Sequence, residues 1–346
     1  MLRVSSSKPL LVGRIEPLGV GSWRYGLGMT TSPWQPLSAR EAGLPVDRTV
    51  HEGVPEHLEP GLRSWIRDSV VTESLVHRVI ARLKLTADAH VFDNSRLPSS
   101  ARDLSRVSAG LLLDVVDCLL YLDIGEVAHH EYLVKHPNAA SPLAAIFSKH
   151  AKFVDPVNTL DALLGDAASA YQVREADDVS HAGLERVVDA TVAESAVMAM
   201  QHAESSGRDD ASSYLRSSWA KAYALHPDAS GAYVDAVRAV EDVAIPLYAS
   251  TKPQPTLGTV IRELDDNEAA YSMVILDNKA VPAKVETVLS LMRLLWQGHR
   301  DRHPGGQTSA PITLEAAQAA VHIAVLLVQL LSTSAVTKNL PLPPQP

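Results

Sequence analysis

The chain has 346 residues, enough for one large domain or two to three ordinary ones, and its 46% apolar and 21% charged residues match a globular soluble protein. A net charge of −9 excludes nucleic-acid binding spread over the whole surface, because phosphate recognition needs concentrated Lys and Arg; such a contact must come from a local basic cluster. Aromatic residues make up only 5%, so the cores must be built from Ala, Val, Leu and Ile, a composition that leans helical.

The N-terminal stretch lacks a long apolar core and a small-residue cleavage site, so no signal peptide is expected. Residues 1–60 are rich in Pro and Gly (Pro9, Pro17, Pro33, Pro36, Pro45, Pro55, Pro60) and weakly periodic, which predicts an irregular, loop-rich arm. Gly19, Gly21, Gly26 and Gly28 follow no strong strand and open no clear helix, so they do not form a phosphate-binding loop. A helical middle domain is expected over 61–208. Apolar residues at helical spacing predict a helix over about 61–83, and Ser105–Leu122 reads as a buried one. Pro137, Pro142 and Pro156 punctuate short helices at about 125–135, 142–150 and 157–164. Residues 170–174 alternate like a strand, and helical spacing resumes over Leu184–Ala203. The lone cysteine, Cys118, lies in an apolar run and reads as a buried thiol, which favours a reducing cytoplasm.

A helical bundle is predicted over 209–335. Its helices are expected at about 212–224, from an N-cap at Ser230 to Ile245 with Pro246 ending it, at Thr256–Leu264, at Pro282–Gln297, and from a Thr313 cap to about Leu331. The apolar run Ala316–Leu331 is shorter than the roughly 20 residues of a bilayer span. It is interrupted by Gln318, His322 and Gln329, so a buried core helix is expected and no membrane contact. The Pro-rich tail, 336–346, reads as disordered or polyproline-like. The fold class is therefore mainly α: a multi-helix bundle with a loop-rich N-terminal arm and a C-terminal helical bundle.

The densest cationic and titratable cluster is the turn His299-Arg300-Asp301-Arg302-His303-Pro304-Gly305-Gly306. Histidine exchanges protons near neutral pH and arginine grips anionic oxygens in a planar fork. Those are the needs of metal-free RNA cleavage, in which a base takes the 2′-hydroxyl proton, an acid protonates the leaving 5′-oxygen and a guanidinium steadies the phosphorane. The plainer reading is a polar loop whose cations suit the end of the preceding helix. Glu241, four residues after Val237, falls on or beside the inward face of its helix and needs a partner, for which an arginine of the turn is one candidate; at the stripe's edge it would instead reach water.

The stretches SSWAKAYALHPDASGAYVDAVRAVEDVAIP, TLGTVI, LLWQGHRDRHPGG and LEAAQAAVHIAVLLVQLL resemble bacterial abortive-infection proteins with a C-terminal HEPN-like helical domain, with a fainter likeness in YQVREADDVSHAGLERVVD. The resemblance implies a bundle that often dimerises and cleaves RNA in phage defence without a cofactor. On that reading His303 is the candidate general acid/base with Arg300 and Arg302, which share its turn, binding phosphate; Glu241 orients an arginine, and His299 and Asp301 stand beside them as supporting residues. The family's arginine precedes its histidine by four to six positions. Here Arg300 precedes His303 with two residues between, while Arg293 and His299 have five. The alternative is a non-catalytic interaction or sensor subunit of a defence system. A rival metal site at Glu126 and His129, near Asp114, Asp117 and Asp123, has E-x-x-H spacing but lacks the second such motif a di-iron bundle needs, so it reads as a solvated helix face and no metal is assigned.

Overall fold

The computed structural model describes residues 49–69, 73–86, 99–122, 156–276, 278–298 and 311–339, together with Ser38 and residues 41–43. Helices dominate them. The N-terminal part contains α1 (Glu59–Ser69), α2 (Glu73–Leu83), the short α3 (Ala101–Leu104), α4 (Leu112–Tyr121) and α5 (Pro156–Asp166), followed by strands β1 (Tyr171–Arg174) and β2 (Gly183–Arg186). The apolar residues of α1 and α2 recur at three- and four-residue intervals: Leu62, Trp65 and Ile66, then Leu75, Val76 and Val79. They bury one stripe of each helix against α4, whose Leu112, Val115, Val116 and Leu119 fill the centre of this core. The continuous helix expected over 61–83 is two helices, and the helices expected at 125–135 and 142–150 lie outside the described residues.

The hairpin of β1 and β2 corrects the sequence reading at Leu184. That residue begins no helix; it sits in an antiparallel strand opposite Val173 and is fully buried in the N-terminal core. The helix starts later, as α6 (Ala190–Ser205), where Asp189 caps it by accepting the Thr191 N–H at 2.9 Å. Then come α7 (Asp209–Tyr223), α8 (Ala229–Tyr248), α9 (Leu257–Asp266), β3 (Tyr271–Leu276), β4 (Pro282–Lys284), α10 (Glu286–Gly298), α11 (Leu314–Ser332) and β5 (Val336–Lys338).

A second core joins α6 to α11, with α8 packed on α7, α9 and α11. Ala232, Ala236, Val240 and Val243 of α8 face Leu215 and Trp219 of α7 and Ala317, Val321, Ala324 and Val328 of α11 within it. The small residues let the helices approach closely, as the low aromatic content requires.

Four further expectations in this region are corrected. The cap of α8 is Asp228, whose carboxylate accepts the Gly231 N–H at 2.8 Å, rather than Ser230. Pro246 lies inside α8, which continues to Tyr248. The proline removes one donor to Asp242, but it stands exposed in the last turn, where solvent can serve that carbonyl. Residues 282–284 form a strand, so α10 starts at Glu286. Residues 336–338 of the expected disordered tail pair with β3, because Val336 buries its side chain opposite Met273. The three-stranded sheet has the order β4-β3-β5.

Thr313 caps α11 as expected, accepting the Ala316 N–H at 3.2 Å. Among the described residues α11 is one helix long and apolar enough to cross a membrane. Its Ala317, Ala320, Val321, Ala324, Leu327 and Val328 are buried in the bundle.

Candidate functional site

His299, Arg300, Asp301, Arg302 and His303 lie outside the described residues. The structure gives the frame that carries them: α10, which ends at Gly298, and α11, which starts at Leu314. Two glycines bring neighbouring helices onto the end of α10. A Cβ at Gly298 would collide with the Tyr233 hydroxyl, and that hydroxyl donates to the Leu295 carbonyl at 2.9 Å. A Cβ at Gly258, in the first turn of α9, would stand 2.8 Å from the Trp296 indole. Helices α8 and α9 therefore grip the last residues before His299, at contacts that only glycine allows.

Glu241 belongs to this frame. Its Oε1 accepts the backbone N–H of Leu257 at 2.7 Å, which satisfies one of the orphan donors at the start of α9. Burial pushes its carboxyl up from the usual range, against the Leu257 hydrogen bond and the nearby positive charge of Arg238. Glu241 is half-buried, at the edge of the inward face, and is hydrogen-bonded. Its partners among the described residues are the α9 N-terminus and Arg238. Arg293, the other arginine in family-like spacing to a histidine, is paired with Asp265 and with Glu286 at 3.0 Å.

Two polar clusters had gone unassigned. On α11, His322 Nε2 meets the Tyr223 hydroxyl at 2.8 Å, with the Trp219 ring alongside. Burial pushes the Tyr223 phenol up to about 12 and lowers His322, so the phenol donates to a neutral imidazole. One polar face of α11 continues with Gln318, which donates to the Ala222 carbonyl at 3.4 Å, and with Gln329, 2.7 Å from His202 Nδ1. The signal was present in the sequence: 318, 322 and 329 are spaced by four and seven residues.

The second cluster lies where the two cores meet. Glu185 is buried; Gln172 Nε2 donates to its Oε1 at 3.0 Å, and Arg174 Nε lies 3.8 Å from Oε2. Asp117 of α4 accepts the Leu184 N–H at 2.7 Å, and Gly183 leaves room for Asp117 and Arg174 to converge there. Burial raises the pKa of both Asp117 and Glu185. Just beyond, His226 reaches Asp114 at 2.5 Å, Leu225 N–H donates to the Leu184 carbonyl at 3.0 Å, and Glu185 bridges to Ala224 at the end of α7. Strand β2 thus ties the N-terminal core to the helical bundle.

Glu126, His129 and Asp123 lie outside the described residues, and among the described ones no group of three His, Cys, Asp or Glu side chains is placed to hold a metal. Cys118 is buried and its thiol is pushed up to about 11, which suits packing rather than nucleophilic attack. Compared with known protein families, curated proteins and solved structures, the chain matches none.

Proposed function

We propose that the protein is a metal-independent endoribonuclease effector of the abortive-infection type, acting as a homodimer in the cytoplasm with the two 299–306 turns facing one cleft. The observation that carries this reading is the packing at the end of α10, just before the turn. The Tyr233–Gly298 and Trp296–Gly258 contacts hold the residues just before a segment that contains two histidines and two arginines. Positioning is the first requirement of such catalysis. His303 of one copy takes the 2′-hydroxyl proton, and the 2′-oxygen attacks the adjacent phosphorus. His303 of the other copy protonates the departing 5′-oxygen, which leaves a 2′,3′-cyclic phosphate and a 5′-hydroxyl. Arg300 and Arg302 hold the phosphate oxygens. Asp301 and His299 support them within the turn. Glu241 acts at one remove, by holding the α9 N-terminus against Trp296.

The test is expression and purified-protein cleavage. Growth should be arrested by the wild-type chain and restored by His303→Ala, and RNA should be cut in the presence of EDTA. Cleavage that survives His303→Ala unchanged removes the assignment.

A second reading is a non-catalytic interaction or sensor subunit. It is favoured by the short Arg300–His303 spacing and by the net charge of −9, which opposes RNA binding over the surface as a whole. It requires a stable complex with a partner subunit and no RNA turnover.

A further inference from the structure

The three-stranded sheet fixes the chain at Lys338 and Asn339. Among the described residues β5 has β3 as its one strand neighbour, so it forms an edge of the order β4-β3-β5. Val336 is buried opposite Met273, and Lys338 is exposed opposite Tyr271. Asn339 then closes the strand with three hydrogen bonds. Its N–H donates to the Ala270 carbonyl at 2.7 Å, its Nδ2 donates to the Ala269 carbonyl at 2.9 Å, and its Oδ1 accepts from Ser272 Oγ at 2.6 Å.

The sequence that follows is Leu340-Pro341-Leu342-Pro343-Pro344-Gln345-Pro346, in which every residue is a proline or stands immediately before one. Proline locks its own φ and drives the residue before it to extended angles, so this sequence favours the polyproline II helix along its whole length. That helix has roughly three residues per turn. In its register Pro341 and Pro344 share one ridge, Leu340 and Pro343 share the ridge beside it, and Lys338 stands one turn ahead of Pro341. Two apolar dipeptides, Leu340-Pro341 and Pro343-Pro344, thus fall on one side with a cation before them.

A sequence with so little conformational freedom loses little more on docking, which is why such segments are taken up by shallow grooves lined with aromatic rings. We propose that residues 338–344 are a docking motif for a separate protein with an SH3-type groove, whose aromatic rings take the two dipeptides and whose acidic rim takes Lys338. Three features select that partner. The dipeptides are separated by the single residue Leu342, the spacing of a PxxP ligand. The cation at one end gives the motif a direction, and Lys338 is exposed on an edge strand, where a partner's carboxylate can reach it. The bonds of Asn339 hold the main chain between the cation and the first dipeptide, so that part of the motif is ordered before the partner arrives.

This inference is independent of both readings of the 299–306 turn, since groove binding and RNA cleavage are separate measurements. The experiment is calorimetric titration of the full chain with a purified, isolated SH3 domain that prefers ligands with the cation ahead of the prolines. The dissociation constant should be on the order of 10–100 μM. Pro341→Ala with Pro344→Ala should weaken binding by about 10-fold or more, and Lys338→Glu by about 10-fold, both with unchanged helical content. An isolated WW domain titrated in parallel should bind about 10-fold more weakly than the SH3 domain, because it lacks the acidic rim for Lys338. No binding of the wild type up to about 1 mM, full affinity in either variant, or a WW domain bound as tightly as the SH3 domain overturns the proposal.

Discussion

Glu241 and Leu257 are joined by a 2.7 Å hydrogen bond from the backbone N–H of one helix's first residue to the carboxylate of another helix. The bond does the work of a cap from outside the capped helix. Glu241→Ala leaves the Leu257 donor without its acceptor and should cost about 1–2 kcal/mol. Glu241→Gln keeps an acceptor oxygen and removes the charge. Because burial raises the carboxyl's pKa, its contribution is complete below the unfolded value and is lost as pH rises through the folded one. Calorimetry at pH 5 and pH 8 should therefore show the Gln variant gaining on the wild type at the higher pH. An equal offset at both would discount the charge.

The carboxyls of Asp117 and Glu185 make a related prediction for the junction of the two cores. Burial is the main cause of both shifts, and both are upward. Protons therefore bind the folded junction more tightly than the unfolded chain, whose carboxylates titrate near about 4. Stability contributed here should fall as pH climbs through the raised values. Urea midpoints measured across that window should decline more steeply for the wild type than for Glu185→Gln. Parallel slopes would place the proton elsewhere.

For the pair Tyr223 and His322, Tyr223→Phe should cost about 1 kcal/mol, the net value of one hydrogen bond. The His322 ring should titrate below its ordinary value of 6.5 in the wild type, since burial disfavours the cation. Its contribution to stability is then present above the unfolded pKa and lost as pH falls through the folded one. NMR titration of the imidazole reports the shift directly. An unshifted His322 would show that the site is wetter than its packing implies.

Gly258→Ala places a methyl 2.8 Å from the Trp296 ring, so the indole or α9 must move. The expected loss is about 1–3 kcal/mol, with a change in tryptophan fluorescence. His303→Ala should leave the melting temperature unchanged. If both variants lose RNA cleavage while only Gly258→Ala loses stability, mounting and chemistry have been separated. A Gly258→Ala protein with wild-type stability and fluorescence would refute the tight contact.

Helical periodicity carried most of the C-terminal bundle into the sequence reading. The phase of Val237, Val240 and Ala244 places Glu241 on or beside the inward face. What it could not supply was the partner, because Leu257 belongs to another helix and offers only its main chain. The strands were harder. β4 and β5 are three residues each, and β3 has Met273 buried but the following three residues exposed, so no alternation survives. Ser230 resembles a cap as well as Asp228 does; the choice was made by which side chain reaches the Gly231 N–H. Pro246 reads as a stop, yet an exposed position near a helix end tolerates it. The chemistry of the 299–306 turn was legible only as residue types, while its mounting depended on Gly258 and Gly298, whose meaning lies in what stands opposite them.

The polar face of α11 has a further consequence, for the sorting of the chain during synthesis. This nineteen-residue segment is, by length and composition alone, long and apolar enough to cross a membrane. Gln318, His322 and Gln329 find their partners on α6 and α7 only after the bundle has closed. In hydrocarbon the same three side chains would be stranded, at a free-energy penalty for each. The face that completes the bundle thus also disfavours the lipid, and replacing these three residues by Leu, which gives up their contacts on α6 and α7, should raise membrane association of the chain.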